Sequence, residues 1–232
     1  ASYYPNPLSV GDAIERTGLS EVADRQYGKL SGGQKQRLHF ALAMIGNPDL
    51  LFLDEPTVGL DVESRRGFWQ EIRRLAARGR SILLTTHYLE EADALADRIV
   101  VMNAGRVEQQ GTPIDVYQRP ATEFVARFIG NATIIDAQVD GDGVRLLGVR
   151  YDTPPQGSKA VLRSDAVALK PDGFHTAHIL HASFLGRDMR YVLETTDGTR
   201  VTVDQAASST RSPLSAGDEV RFSILTERLH FI

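Results

Sequence analysis

The chain has 232 residues and a formal net charge of −4, with 42% hydrophobic and 24% charged residues. These values are typical of folded domains and exclude a collagen-like or disordered chain, and the charge does not indicate nucleic-acid binding. Cysteine is absent, which excludes a disulfide scaffold, thiol catalysis and cysteine metal sites. No apolar run approaches the roughly 20 residues that span a bilayer.

Residues 1–111 alternate helices with short apolar strands. Apolar residues at helical spacing predict three helices, which contain Leu38–Ile45, Phe68–Ala76 and Leu89–Ala96. Two apolar runs predict strands buried on both faces of a parallel sheet, and a third strand follows: Leu50–Leu53, Ile82–Leu84 and Ile99–Met102. This order predicts right-handed βαβ crossovers and an α/β layer fold.

Residues 131–232 favour short strands, and residues 112–130 between the two parts favour a helical connector. Eight runs predict strands: Thr133–Val139, Val144–Tyr151, Ala160–Arg163, His178–Phe184, Arg190–Thr195, Arg200–Val203, Glu219–Ile224 and Leu229–Ile232. The Asp197-Gly198 pair predicts a hairpin turn, and Ala206–Ser215 predicts a loop. Strands of this spacing indicate a small barrel or sandwich.

The sequence Ser31-Gly32-Gly33-Gln34 stands directly before the first of the predicted helices. Two glycines at a helix start expose backbone N–H groups, and these donors together with the helix dipole are suited to a phosphate. The alternative for these residues is a simple helix cap.

Asp54 and Glu55 follow the first apolar strand at its carboxyl end, where open α/β sheets bind ligands. Asp54 is suited to hold Mg²⁺ through water, and Glu55 is suited to orient or deprotonate an attacking water. His87 follows the second strand and is suited to hydrogen-bond a terminal phosphate. Each of these motifs has an alternative explanation when it is taken alone. Asp54 and Glu55 also suit a helix cap, the Gly59-Leu60-Asp61 segment also suits a turn, and His87 also suits a structural role.

Taken together, the order and approximate spacing of these motifs resemble the nucleotide-binding ATPase subunits of ABC transporters. Leu30–Gln34 is similar to the ABC signature, and Leu50–Glu55 is similar to the Walker B strand with its catalytic glutamate. Gly59–Asp61 resembles the D-loop, and His87 resembles the switch histidine. The resemblance implies that residues 1–111 form the C-terminal part of a P-loop NTPase domain, beginning with the end of its helical subdomain.

The resemblance also implies a mechanism in which two ATPase subunits enclose two ATP molecules head to tail. The signature of one subunit, here Ser31–Gln34, would contact ATP bound by the other subunit. Asp54, Glu55 and His87 would serve the ATP of their own subunit, with Mg²⁺ at Asp54, and Asp61 would couple the two sites. Closure on ATP and opening after hydrolysis would drive transmembrane permease subunits.

One family motif, the phosphate loop G-x-x-x-x-G-K-[ST], does not occur in the sequence. That loop holds the β- and γ-phosphates in the family. We therefore expect that these residues alone do not hydrolyse ATP. Because the sequence begins at Ala1 rather than Met, we expect it to be truncated.

The C-terminal part resembles the TOBE type of OB-like domain that follows the ATPase domain in solute importers. The similar segments include Gly111–Pro113, Phe124–Gly130, Val161–Asp165, Ser183–Gly186 and Gly217–Val220. The resemblance implies an importer with a solute-binding protein, a small regulatory ligand at the C-terminal domain, and a peripheral cytoplasmic position at the inner face of the membrane.

Alternatives to the importer stay open from the sequence. Tyr4–Pro7, Leu50–Asp61 and Thr86–Asp97 resemble drug-exporter ATPases. This resemblance leaves open an exporter subunit, a fusion joined near Gly111, or a natural mixture of the two types. A soluble ABC ATPase that acts on ribosomes or DNA, and a non-catalytic regulatory fragment, are two further readings. His178 and His181 are predicted to point to opposite faces of a strand, which disfavours a metal site formed with His175.

Overall fold

The computed structural model describes residues 4–130, 132–154, 156–207 and 214–232. The chain divides into two compact units, Ala1–Asp97 and Arg98–Ile232. Among the described residues, no helix combines the length and the apolarity that a membrane crossing requires. The domain boundary at residue 111 stays a prediction.

The first unit packs helices against a pair of parallel strands. Its helices are α1 (Val10–Arg16), α2 (Gly32–Met44), α3 (Val62–Ala77) and α4 (Leu89–Leu95), with short 3₁₀ turns at Ser20–Val22 and Tyr27–Lys29. Its strands are β1 (Leu50–Asp54) and β2 (Ser81–Thr85). The three predicted helices and the two predicted strands are therefore present.

Strands β1 and β2 are parallel, in a register that pairs Leu50 with Ser81 and Asp54 with Thr85. One face of β1 packs on the core through Leu51 and Leu53, whereas Phe52 on the opposite face is 68% exposed. Leu50 and Leu83 are exposed as well. The prediction that both strands are buried on both faces is therefore wrong for the described residues, because α2 and α3 supply apolar side chains to one face only.

The core of the first unit lies between β1, α2 and α3. The Phe40 and Phe68 rings are tilted against each other with centroids 4.4 Å apart. Trp69 of α3 also packs against this core, and its indole N–H donates to the carboxylate of Glu91 in α4 at 3.2 Å. Glu91 is fully buried, so this hydrogen bond satisfies part of a carboxylate that has lost contact with water.

The second unit begins with a hairpin and two helices. Strands β3 (Ile99–Asn103) and β4 (Arg106–Gly111) pair in antiparallel fashion, and helices α5 (Pro113–Gln118) and α6 (Glu123–Gly130) follow. The connector is thus helical, as predicted. The third predicted strand is present as β3, but the parallel pairing in the described residues comprises β1 and β2 alone.

The remaining strands form two five-stranded sheets that share one hydrophobic core. In sheet order they are β12-β11-β10-β13-β9 and β14-β8-β5-β6-β7. Their bounds are β5 (Thr133–Asp140), β6 (Gly143–Leu146), β7 (Val149–Tyr151), β8 (Lys159–Leu162), β9 (Val167–Leu169), β10 (His175–Phe184), β11 (Asp188–Thr195), β12 (Arg200–Ala206), β13 (Glu219–Ile224) and β14 (His230–Phe231), with 3₁₀ turns at Ser164–Ala166 and Thr226–Arg228. This arrangement agrees with the predicted small barrel.

Two details of the strand prediction are wrong. The run Val144–Tyr151 is not one strand, because Leu147 and Gly148 both have positive φ and form a tight turn between β6 and β7. Strand β9 was missed, since three residues are too few for an alternating pattern. The hairpin at Asp197-Gly198 is confirmed by the pairing of β11 with β12. Of the predicted loop Ala206–Ser215, residues 208–213 lie outside the described residues.

The histidines of β10 also depart from expectation. A bulge between Ile179 and His181 breaks the strand's alternation, so that His178 pairs with Glu194 and His181 pairs with Val192. These partners are two residues apart on β11, and both histidines therefore lie on one exposed face rather than on opposite faces. Within the described ranges no group of three or more His, Asp or Glu side chains has an arrangement that could hold a metal ion.

The third histidine of this strand, His175, is buried and hydrogen-bonded. Its Nε2 lies 2.7 Å from the hydroxyl of Tyr151, which also accepts from the Ile224 N–H at 3.3 Å. Burial lowers the pKa of His175 and raises the pKa of Tyr151, so both side chains are held neutral in the core.

Within the second unit, the buried Arg163, which follows β8, contacts the connector helix α5. The Arg163 guanidinium lies 4.0 Å from the centre of the Tyr117 ring and donates to the Tyr117 carbonyl. Gly130, at the end of α6, leaves the space that this guanidinium occupies, because a Cβ at that position would overlap it.

We expect Gly130→Ala to destabilise the chain by about 1–3 kcal/mol, because the buried guanidinium has to leave its contacts with Tyr117. Gly67→Ala is the matched control, since an added Cβ meets nothing within 4 Å at that exposed helical position. It should stabilise α3 by up to about 1 kcal/mol. Urea unfolding followed by circular dichroism measures both changes, and equal effects of the two substitutions would contradict the packing role of Gly130.

Candidate functional site

The signature segment forms the start of α2. Ser31 is the N-cap, and its hydroxyl accepts from the Gln34 N–H at 3.2 Å while the Gln34 side chain accepts from the Ser31 N–H at 2.9 Å. This capping box uses the side chains of both residues. The helix-cap alternative for Ser31 is therefore realised in this structure, and the N–H groups of the two glycines form the rest of the helix start.

The two glycines of the signature lie in different surroundings. An added Cβ at Gly32 would meet nothing within 4 Å, so the backbone there is open to a ligand. An added Cβ at Gly33 would lie 3.3 Å from Leu60 Cδ2 and 3.4 Å from the Gly59 carbonyl oxygen. Gly33 thus allows the signature to pack closely against the Gly59–Asp61 segment.

Asp54 ends β1 and is exposed, and the strand register places Thr85 directly beside it. The Thr85 hydroxyl donates to Asp54 Oδ1. No hydrogen bond from the described residues engages the second carboxylate oxygen of Asp54, which is therefore available to a water or a cation. The carboxyl ends of both parallel strands meet at this edge, as is usual for ligand sites of α/β sheets.

The backbone of Glu55 is held in the left-handed region, with φ of 44°. Such a conformation in a non-glycine residue costs roughly 1–3 kcal/mol and is frequent at functional sites. Its N–H donates to the Thr85 carbonyl at 3.1 Å and lies 3.3 Å from the Thr85 hydroxyl. Its carbonyl accepts from the Val58 N–H at 3.3 Å and from the Gln36 side chain of α2 at 3.4 Å. Hydrogen bonds on both sides therefore hold the strained residue in place.

The side chains of Glu55 and His87 form a pair, with Oε1 and Nδ1 2.8 Å apart. Because a carboxylate oxygen only accepts hydrogen bonds, Nδ1 carries the hydrogen and Nε2 is left as the outward nitrogen. His87 is exposed, and its ring also packs on Tyr88 with centroids 4.2 Å apart. Glu55 Oε2 is buried without a hydrogen-bond partner among the described residues, which suits an acceptor completed by a water molecule.

Asp61 is the N-cap of α3. Its Oδ1 accepts from the Ser64 N–H at 2.9 Å and its Oδ2 accepts from the Ser64 hydroxyl at 2.7 Å. These hydrogen bonds hold the pKa of the Asp61 carboxyl below its ordinary value. Asp61 also borders a cavity of about 780 Å³ that is lined by α1, α2 and α3.

The described contacts bring some of the predicted site residues together and leave others apart. Glu55 and His87 are in contact, and Asp54 adjoins them in sequence and at the strand end. The side-chain hydrogen bonds of Ser31 and Asp61 stay within their own helix caps. The sequence analysis did not identify Thr85 or Gln36 as site residues. Thr85 is marked in the sequence by its position at the end of a predicted strand, and Gln36 by its position shortly after the signature.

Comparison with known proteins is consistent with this geometry. Residues 8–58 match the family described as "ABC transporter", and residues 160–232 match the family described as "TOBE domain". The first part of the chain is thus similar to ABC transporter sequences, and its last part is similar to TOBE domains. The first matched segment contains the signature, Asp54 and Glu55, whereas Asp61 and His87 lie beyond it.

Three relatives are similar across most of the chain. The "Fe(3+) ions import ATP-binding protein FbpC" of Rhizobium etli is 35% identical over 219 residues, covering 88% of this chain and 62% of that protein. The protein of the same name from Brucella melitensis is 34% identical over 224 residues, 91% of this chain and 63% of that protein. The "Spermidine/putrescine import ATP-binding protein PotA" of Oleidesulfovibrio alaskensis is 37% identical over 205 residues, 84% of this chain and 54% of that protein.

These relatives bear on the alternatives left open by the sequence. The chain spans less than two thirds of the length of each of them. A match that covers 88% of this chain includes residues from both the ATPase-like part and the TOBE part. Import proteins thus combine both parts in one chain, and a join near Gly111 is not needed to explain the sequence.

We expect Gly33→Ala to displace the Gly59–Asp61 segment, at a cost of about 1 kcal/mol, because the added Cβ approaches Leu60 and the Gly59 carbonyl. Gly32→Ala is the matched control with open space around it. The amide chemical shifts of Gly59, Leu60 and Asp61 should change in the first variant and stay near their original values in the second. Unchanged shifts in both would refute the contact.

Proposed function

We propose that this chain is the signature-bearing and Walker B-bearing part of an ATP-hydrolysing subunit that powers an ABC transporter. The observation that carries the proposal is the Glu55–His87 pair at the carboxyl end of β1 and β2, in a chain with ABC transporter and TOBE sequence. Residues 1–111 would belong to the ATPase domain, residues 112–130 to the connector, and residues 131–232 to the regulatory domain.

Glu55 would orient the water that attacks the terminal phosphate and accept its proton. Its Oε1 is engaged by His87 and its Oε2 lacks a protein partner within the described residues, so one oxygen remains for that water. His87 would direct Nε2 toward the terminal phosphate, and donation to a phosphate oxygen requires the protonated ring. A positioned base of this kind contributes about 10²–10⁴-fold to the rate.

The residues at this edge fit Mg²⁺ bound together with a nucleotide. Mg²⁺ is usually held by one or two carboxylates together with waters and substrate phosphates, and Asp54 offers one carboxylate with a free oxygen. When bound, the ion would neutralise phosphate charge. Asp54 would hold it, through water, at the strand end.

The signature would act on the ATP of a second ATPase subunit. The open backbone at Gly32 and the donors at the start of α2 suit a phosphate, and Ser31, Gly33 and Gln34 would shape that surface. Asp61 would link the two sites, since its segment packs against Gly33. The two subunits would form a head-to-tail homodimer on transmembrane permease subunits, at the cytoplasmic face of the membrane.

Import is the direction that the relatives favour. The similar proteins from Rhizobium, Brucella and Oleidesulfovibrio are all named as import ATP-binding proteins, and the TOBE match supports the same assignment. We infer an importer supplied by a solute-binding protein, with a small regulatory ligand at the TOBE domain. The resemblance of Tyr4–Pro7, Leu50–Asp61 and Thr86–Asp97 to exporter ATPases carries less weight than the names of these relatives.

The enzymatic assignment is tested by Glu55→Gln in the full-length gene product. We expect turnover of ATP to fall by about 10²-fold or more while ATP still binds, because the variant keeps the shape of the side chain and loses the base. His87→Ala should also cripple turnover. Phosphate release measures hydrolysis, and equilibrium binding of a fluorescent ATP analogue measures affinity.

Glu63→Gln is the matched control, since Glu63 lies in the first turn of α3 and no hydrogen bond or ion pair joins its side chain to Glu55 or His87 among the described residues. It should hydrolyse ATP at the original rate. Hydrolysis at the original rate by Glu55→Gln would refute the role of Glu55.

The origin of the phosphate loop is tested on the gene. Single long reads from well upstream of codon 1 through codon 130 should contain an in-frame G-x-x-x-x-G-K-[ST] sequence and run without interruption through Gly111. A reading frame without that motif would contradict the ATPase assignment, and a break at Gly111 would contradict the importer assignment.

A further inference from the structure

Thr85 contacts both acidic residues of the candidate site, the carboxylate of Asp54 and the backbone N–H of Glu55. It is the last residue of β2, and the parallel register pairs it with Asp54 at the end of β1. Its hydroxyl donates to Asp54 Oδ1 and lies 3.3 Å from the Glu55 nitrogen, whose hydrogen points at it. A single hydroxyl therefore contacts one group of each acidic residue.

The chemistry of a hydroxyl allows both contacts at once. It has one hydrogen to donate and two lone pairs to accept with. Donation to Asp54 fixes which carboxylate oxygen faces β2, so the other oxygen faces away from the strand. Acceptance from the Glu55 N–H adds to the bond from that N–H to the Thr85 carbonyl at 3.1 Å. Valine has the same shape and can make neither side-chain contact.

Loss of the Thr85 hydroxyl would affect both Asp54 and Glu55. Without the hydroxyl, the exposed Asp54 carboxylate is free to rotate. Cation binding then has to order this side chain, and the lost conformational entropy lowers the affinity for the cation. The left-handed backbone of Glu55 also loses one of the bonds that hold it, since φ of 44° is unfavourable for a non-glycine residue. Both effects reduce the time that the two carboxylates spend in the same working arrangement.

We propose that Thr85 is a positioning residue, whose hydroxyl orients the Asp54 carboxylate toward a divalent cation and holds the Glu55 backbone in its left-handed conformation. This proposal rests on the proposed function for the use of that cation in ATP hydrolysis. Side chains that hydrogen-bond a metal-binding carboxylate typically affect metal affinity or activity by about 10–100-fold.

The first test measures cation binding without any catalysis. Mn²⁺ is added to the isotope-labelled 232-residue chain, and paramagnetic broadening of the Asp54 signals gives the concentration at half-effect. We expect Thr85→Ala and Thr85→Val to raise that concentration by about 10-fold and Thr85→Ser to keep it near the original value. The Glu55 amide should also exchange its hydrogen faster in the two variants without the hydroxyl.

The Ser and Ala variants form the decisive pair, because they differ by one oxygen atom and share any cost of losing the threonine methyl. Thr176→Val on β10 controls for the general effect of the substitution on an exposed strand and should titrate as the original chain does. Equal Mn²⁺ titrations of the Ser and Ala variants would overturn the proposal. So would an original chain whose Asp54 signals are not broadened by Mn²⁺.

The second test uses ATP hydrolysis by the full-length gene product. Thr85→Ala should lower turnover by about 10-fold and raise the Mg²⁺ concentration for half-maximal rate, with Thr85→Ser close to the original on both measures. Equal turnover and Mg²⁺ dependence in the two variants would overturn the positioning role while leaving the ATPase assignment intact. Absence of hydrolysis by the unsubstituted protein would refute the proposed function, and the Mn²⁺ titration would still decide the role of Thr85.

Discussion

Parallel pairing of β1 with β2 fixes the geometry on which the candidate site depends. The register sets Asp54 beside Thr85, and both strands end at the same edge of the sheet. Glu55 follows β1 there and His87 follows β2, so that their side chains meet. A register shift of one residue would place Asp54 beside a different side chain and send alternate residues to the other face. The apolar residues Leu51 and Leu53, which are buried on α2 and α3, oppose such a shift.

The helix that carries the signature is joined to this edge by two kinds of contact. Gln36 donates to the Glu55 carbonyl, and Gly33 lies against the segment that leads to Asp61. A displacement of α2 would therefore act on the backbone of Glu55 and on the Gly59–Asp61 segment together. Within one subunit, this links the surface expected to contact the partner's nucleotide with the residues expected to act on its own.

Much of this arrangement could be predicted from the sequence. The apolar strand before Asp54 and the motif order around Ser31 and His87 indicated the fold and the candidate site, because strand ends and glycine-rich helix starts have direct sequence signals. The role of Thr85 could not be predicted in this way. It depends on the register between two strands that are separated by a helix, and no local pattern encodes that register.

Other differences have equally local causes. The exposure of Phe52 could not be predicted, because an apolar strand has the same sequence pattern whether one face or both faces of its sheet are covered. The division of Val144–Tyr151 depends on a turn through Leu147, a residue that rarely adopts positive φ. The common face of His178 and His181 follows from a bulge, and one extra residue in a strand leaves no mark in its composition.

The indole of Trp69 gives the molecule a built-in optical reporter. It is the one tryptophan in the sequence, it lies in the first unit, and its N–H is bonded to a fully buried carboxylate. Tryptophan emission therefore follows the packing of α3 against α4 and is silent about the β-rich second unit. Spectroscopy at two wavelengths, tryptophan emission beside far-ultraviolet dichroism, separates the melting of the two units without any label.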